Sequence, residues 1–153
     1  MGTKKDIYYF MKWCEFFKIF SDEEMDILTN YFGWMEFKKD EVIYKEGVLG
    51  IGMGIIIQGV AEVIIKEHCK EKVIAILRKG EIIGELSLLD DNPRSADVIA
   101  KSETSAIVIS RSNFERLIQE EIEIAIKFVL QIARLLAQRI RKENIRLAEI
   151  KMI

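Results

Sequence analysis

Hydrophobic and polar positions change period twice along this chain of 153 residues. Between Lys5 and Phe20, the residues Ile7, Phe10, Met11, Cys14, Phe17 and Ile19 fall near helical spacing, with Lys12, Glu15 and Lys18 between them. That spacing predicts an amphipathic helix over 5–20 with an aromatic face, packed against the rest of the chain or kept for a partner. Ser21-Asp22-Glu23-Glu24 has the form of a capping box, with Ser21 as N-cap and Glu24 three residues on. Met25, Leu28 and Phe32 supply the buried stripe of the helix it starts, and Gly33 is expected to end it.

From Trp34 the period shortens. Apolar runs at Trp34–Phe37, Val42–Tyr44, Ile55–Ile57, Val60–Ile65, Val73–Leu77, Ile82–Ile83, Asp97–Ala100 and Thr104–Ile109 are separated by polar or Gly-containing turns. About eight short strands without a long helix among them predict an antiparallel β-roll, a jelly-roll-like barrel whose edges are removed by closing the sheet on itself. A parallel βαβ sheet does not fit.

From Arg111 the helical period returns. Ser112 or Asn113 is expected to cap a short helix carrying Phe114, Leu117 and Ile118, and a longer helix runs from about Ile122 to Ile150. Along it Val129, Ile132, Leu136, Ile140, Glu143, Leu147 and Ile150 step by three and four. A seam of that length predicts a homodimer through the C-terminal helix, because roughly 28 residues, or ~42 Å, outrun a small barrel. The alternative is that the seam covers the barrel. The division expected is one domain over 1–153: N-terminal helices to 33, barrel over 34–110, C-terminal helices from 111.

Composition narrows the function classes. Half the residues are hydrophobic and 31% are charged, an ordinary globular balance. A net charge of −2 provides no basic field for direct nucleic-acid binding, and no DNA-binding helix-turn-helix is expected after the long helix. No run of ~18 uncharged apolar residues suggests a membrane span, and no secretory signal is visible. Cys14 and Cys69 make no CxxC and read as reduced thiols of a cytoplasmic protein. With His68 the single histidine, neither a histidine-based metal site nor a catalytic triad has its parts, and an enzyme is not expected.

The chemistry concentrates in Gly80–Ala96, GEIIGELSLLDDNPRSA. A glycine followed by a short helical turn, as in Gly84-Glu85-Leu86-Ser87, exposes backbone amides that attract an anion. Glu85 can accept from hydroxyls. Arg94 offers a planar fork of donors for two phosphate oxygens, Ser95 adds a hydroxyl, and Pro93, the one proline, stiffens the approach. The plainer alternatives are that Arg94 pairs with Asp90, Asp91 or Asp97 and that Glu85 is an exposed carboxylate.

Gly80–Ala100 closely resembles the phosphate-binding cassette of the cyclic nucleotide-binding domain family, which includes catabolite-activator-type sensor domains and the regulatory subunits of cyclic-AMP-dependent kinase. Lys45-Glu46-Gly47 and Ile55-Ile56-Ile57-Gln58-Gly59 are similar to the family's opening pattern. The resemblance implies that Glu85 accepts from the ribose 2′-hydroxyl and that Arg94 pairs with the cyclic phosphate. Ser95 and the amides around Leu86, Ser87 and Ala96 would complete the phosphate cage, and Gly84 would admit the sugar. It implies further that Arg139 on the long helix stacks on the base, with Ile74 and Ile83 on the other side, and that the ligand pulls this helix onto the pocket. Two positions depart from the pattern: Val48 where an aspartate is common, and Gly54, in the run Gly50–Gly54, where an aromatic is frequent. Serine at 95 resembles the bacterial cyclic AMP sensors, where kinase relatives carry threonine for cyclic GMP or alanine for cyclic AMP. The implied function is a stand-alone sensor of cyclic AMP, ahead of cyclic GMP, that needs no cofactor and signals to a separate effector protein. The alternatives are a ligand-free dimeric interaction module and the sensor half of a transcription regulator.

Overall fold

The computed structural model describes residues 1–47, 51–93 and 95–151. Helix α1 (Lys4–Trp13) is followed by a 3-10 turn at Glu15–Phe17 and by α2 (Asp22–Leu28). Eight strands among the described residues come next: β1 (Gly33–Phe37), β2 (Val42–Tyr44), β3 (Met53–Gln58), β4 (Ala61–Glu67), β5 (Lys70–Leu77), β6 (Ile82–Ile83), β7 (Asp97–Ala100) and β8 (Thr104–Ile109). Helices α3 (Arg111–Glu120) and α4 (Ile122–Lys151) close the order.

The strands form two four-stranded antiparallel sheets, ordered β1-β8-β3-β6 and β2-β7-β4-β5. The roll is therefore open rather than the closed barrel that the turn spacing predicts. Central strands β3 and β8 are buried on both faces, which explains why they read as continuous apolar runs. Met53, Ile55, Ile107 and Ile109 point to the core under the helices, while Ile56, Ala106 and Val108 point to the core between the sheets. Gly59 leaves β3 at φ +96, and a Cβ there would lie 2.4 Å from the Glu103 carbonyl oxygen, so the chain can turn only on glycine.

The amphipathic helix expected over 5–20 stops at Trp13. Cys14 is extended, and the chain resumes as the 3-10 turn. Phe16, Phe17 and Phe20, on and just after this turn, are all buried. Thr3, with Asp6, makes a capping box at the start of α1. Helix α2 ends at Leu28 with Thr29 as its C-cap, so Gly33 is not its stop and instead opens β1. The short helix α3 is capped by Ser110, not Ser112 or Asn113: the Ser110 hydroxyl accepts from the Asn113 amide at 3.1 Å.

The box at Ser21 forms as the sequence indicates, and its glutamate has a second partner. The Glu24 amide donates to the Ser21 hydroxyl at 3.1 Å, the Glu24 carboxylate accepts from the Ser21 amide at 3.0 Å, and Lys127 of α4 donates to the same carboxylate at 2.8 and 2.9 Å. The lysine first, and the Ser21 amide second, hold the Glu24 carboxyl below its ordinary range. Because the folded pKa is depressed, the stabilisation is present above the unfolded carboxylate pKa and is lost as pH falls through the folded value. Glu24→Gln keeps the cap and removes the charge pair. It is expected to cost about 0.5–1 kcal/mol in urea unfolding at neutral pH, with the difference vanishing in acid. A cost that persists at acid pH would contradict this account.

Candidate functional site

The stretch Gly80–Ala96 runs from the end of β5 to the start of β7 and carries the walls of a cavity. Gly84 sits at φ 77, ψ 17, the left-handed region, and caps a 3-10 turn over Glu85–Leu88. Glycine reaches that conformation without a Cβ penalty, and the turn it starts tips Glu85 inward. Leu88 anchors the turn in the core, whereas Leu86 is 49% exposed. The Ser87 hydroxyl donates to the Gly84 carbonyl at 2.7 Å.

Beside this turn lies a cavity of about 380 Å³. Among the expected site residues it brings together Ile83, Gly84, Glu85, Leu86, Ser95, Ala96 and Arg139. Ser87 is not among its lining residues, and Arg94 lies outside the described residues, as do Val48 and Gly50. Ile74 is a correction: it is 49% exposed, and Ala75 lines the cavity in its place. The ladder between β4 and β5 pairs Val63 with Ala75 but Ile64 with Val73, so a bulge at Ile74 shifts the alternation by one. Val63, Ala75, Leu77, Ile82 and Val98 add an apolar wall, and Glu81 a second carboxylate.

Glu85 is only 4% exposed, so the exposed-carboxylate alternative fails. Its partner is Arg139 of α4, whose Nη1 donates to Oε1 while Nη2 donates to the Ile82 carbonyl at 2.8 Å. The long helix thus brings Arg139 to the cavity, as counting along the chain suggests, but its guanidinium is engaged with a carboxylate and a backbone carbonyl. The seam expected along α4 divides. Ile132 is 1% exposed and packed in the core, whereas Ile140, Leu147 and Ile150 face outward.

Two residues missed in the sequence shape the neighbourhood. Tyr44 lines the cavity and donates its hydroxyl to the Gly52 carbonyl at 2.6 Å, and a Cβ on Gly54 would come within 3.3 Å of that hydroxyl oxygen. Gly54 therefore makes room for an aromatic ring arriving from β2. Arg111 of α3 donates to the Asp90 carbonyl at 2.8 Å and pairs with Asp91, tying down the acidic loop. Asp97 accepts from the Glu46 amide at 2.7 Å. No single-sequence pattern singles out either residue, because each acts across distant segments.

Other polar clusters are less suited to a ligand. A groove of about 700 Å³ between α1 and α2 is larger, but charges of both signs line it, from Lys4, Lys5, Asp22, Glu23 and Asp26, and Asp22 is drawn to Lys12 at 3.4 Å. No group of three metal-ligating side chains occurs among the described residues, and no described helix is long and apolar enough to cross a membrane. Both cysteines are free, and burial pushes the Cys14 thiol pKa up. An apolar wall beside a buried carboxylate and a serine, at this volume, suits one small ligand with an apolar part and hydrogen-bonding groups.

Residues 34–121 match the family model described as cyclic nucleotide-binding domain. Among curated proteins, the chain is 30% identical over 139 residues to the Cyclic AMP receptor protein of Thermus thermophilus, covering 90% of this chain and 62% of that one. It is 32% identical over 109 residues to a cGMP-dependent protein kinase of Eimeria tenella, covering 71% of this chain and 10% of the kinase. Among solved structures, a cyclic nucleotide-binding domain from Methylobacillus flagellatus superposes with a TM-score of 0.82 at 28% identity, over 95% of this chain and 82% of that one. The chain thus spans less than two thirds of the length of these curated relatives.

Proposed function

The chain belongs to the cyclic nucleotide-binding domain family, and we propose that it is a non-catalytic cytoplasmic sensor that binds cyclic AMP, ahead of cyclic GMP, and moves α4 in response. The observation that carries the proposal is the Glu85 carboxylate, 4% exposed in a cavity with a largely apolar wall. A carboxylate is buried there at a cost, and accepting from ribose hydroxyls is a use that offsets it. Arg94 takes the cyclic phosphate, with Ser95 and the amides of Leu86, Ser87 and Ala96 around it. Ile83 and the apolar wall receive the purine. Similarity to the Thermus cyclic AMP receptor protein over 90% of this chain supports cyclic AMP, and the likeness to cGMP-dependent kinases keeps cyclic GMP second. Because the ligand reaches elements that also touch α4, its binding energy can shift a two-state equilibrium of that helix.

The exposed apolar positions of α4, Ile126, Val129, Ile140 and Leu147 among them, support a homodimer through the C-terminal helix, with a separate effector protein reading its position. A dimeric interaction module without ligand is the second reading, favoured by the engagement of Glu85 with Arg139.

Calorimetric titration with cyclic AMP and cyclic GMP tests the proposal. Micromolar or tighter binding, worth about 8 kcal/mol or more, is expected, with cyclic AMP the tighter. At a hundredfold excess over Kd the fold gains about 2.7 kcal/mol, visible as a raised Tm. If neither nucleotide gives heat or a melting shift, the sensor reading falls and the interaction module stands.

A further inference from the structure

Resting on the sensor reading above, we propose that Arg111 of α3 is a positioning residue for the phosphate contact. It holds the carboxylate of Asp91, an anion three residues before Arg94 that would otherwise compete with the ligand's phosphate for that guanidinium.

The stretch around Arg94 carries its own competitors. Asp90, Asp91 and Asp97 all lie within four residues of it. Three residues of extended chain span at most about 10 Å, so the side chains of Asp91 and Arg94 are long enough to meet. Each of the three carboxylates has another partner. Asp90 accepts from the amide and the side-chain nitrogen of Asn92 at 3.1 and 3.3 Å. Asp97 accepts from the Glu46 amide at 2.7 Å. Asp91 pairs with Nη1 of Arg111, which also donates to the Asp90 carbonyl at 2.8 Å, while Nε of the same guanidinium faces Glu115 at 3.4 Å.

Asp91 depends on its partner more than the other two do. Its side chain is 88% exposed, so packing does not fix it. Residues 89–93 belong to no helix or strand. Among the described residues, Arg111 is the only side chain from outside this segment that hydrogen-bonds to it. Arg111 is also a poor choice for the helix that carries it. It is the first residue of α3, directly after the N-cap Ser110, and the first turn of α3 has no acidic residue. A cation there opposes the helix dipole, which favours anions at the N-terminus. The benefit of an arginine at 111 therefore lies in what it holds. In return, the acidic loop supplies the negative charge that the end of α3 lacks.

Calorimetric titration of the full chain with cyclic AMP and cyclic GMP tests the assignment. Arg111→Gln releases Asp91 and is expected to raise Kd about fivefold, the effect of an exposed ion pair competing for Arg94. Adding Asp91→Asn to Arg111→Gln removes the competitor and is expected to return Kd to within about twofold of wild type. Arg111→Lys, which keeps the charge but not the fork, should lie between wild type and Arg111→Gln. The melting temperature of ligand-free Arg111→Gln should stay near that of wild type, because relief at the helix end offsets the lost pair. Wild-type affinity in Arg111→Gln would overturn the proposal and leave the sensor reading standing. So would a double variant as weak as the single, or a joint loss of stability and affinity that Asp91→Asn does not rescue, the signature of a merely structural arginine. No heat from wild type with either nucleotide would overturn the sensor reading and this proposal with it.

Discussion

Phe128→Ala is expected to lower the unfolding free energy by about 3–5 kcal/mol, a large share of what holds a domain of this size. Phe128 is fully buried, and three rings surround it: Phe16 at 5.3 Å, Phe114 at 5.9 Å and Phe32 at 6.1 Å between centroids. These rings come from the 3-10 turn after α1, from α3 and from the segment before β1. Phe128 is thus where the N-terminal and C-terminal helices meet over the same sheet. Truncation leaves a cavity that four separate segments must collapse to fill, and each is fixed elsewhere. Phe128→Leu, which keeps most of the volume, should cost far less, about 1.5 kcal/mol. Urea unfolding of the two variants decides. A cost for Phe128→Ala below about 1 kcal/mol would show that α4 is not held at this point. The result also bears on function, because Arg139 lies three turns further along the same helix and reaches Glu85 only while Phe128 and Ile132 hold the helix down.

The strands were largely legible because β-structure writes a local signal. β2, β6, β7 and β8 begin and end where the apolar runs do, since each run is bounded by turn residues whose backbone needs are local. The capping box at Ser21 was legible for the same reason. Legibility failed wherever a residue's role depends on a partner far away in sequence. Ile74 and Ala75 are both apolar and adjacent. Which of them faces the cavity is set by a bulge opposite Val63 and Ile64, and an apolar count cannot register a shift of one. Arg111 looks like any helix-start arginine until Asp90 and Asp91 fold against it. The buried state of Glu85 was hidden for a different reason. A glutamate following glycine reads as surface, and only the left-handed Gly84 and the arrival of Arg139 from 54 residues away make its burial tolerable. The closure of the barrel is likewise a property of sheet edges, and edges cannot be read from the strands one at a time.

Arg94→Ala is expected to weaken cyclic nucleotide binding by about 2–5 kcal/mol, from roughly thirtyfold to a few thousandfold in Kd. The charge inventory of the cavity is the reason. Its described lining contributes two carboxylates, Glu81 and Glu85, and one guanidinium, Arg139, which is already paired with Glu85. Without Arg94 that lining is net negative and would repel a cyclic phosphate. The amides around the Glu85–Leu88 turn supply only partial charges, so the formal charge that attracts the phosphate falls to Arg94. Arg94→Lys separates charge from geometry: an ammonium restores attraction but not the bidentate fork, and should recover part of the loss. Titrations of the three proteins at two salt concentrations complete the test, because the wild type and Arg94→Lys should lose affinity as salt rises while Arg94→Ala should lose much less. Equal affinity in wild type and Arg94→Ala would place the phosphate elsewhere and remove the charge argument, whereas equal loss in Arg94→Ala and Arg94→Lys would assign the whole effect to the fork.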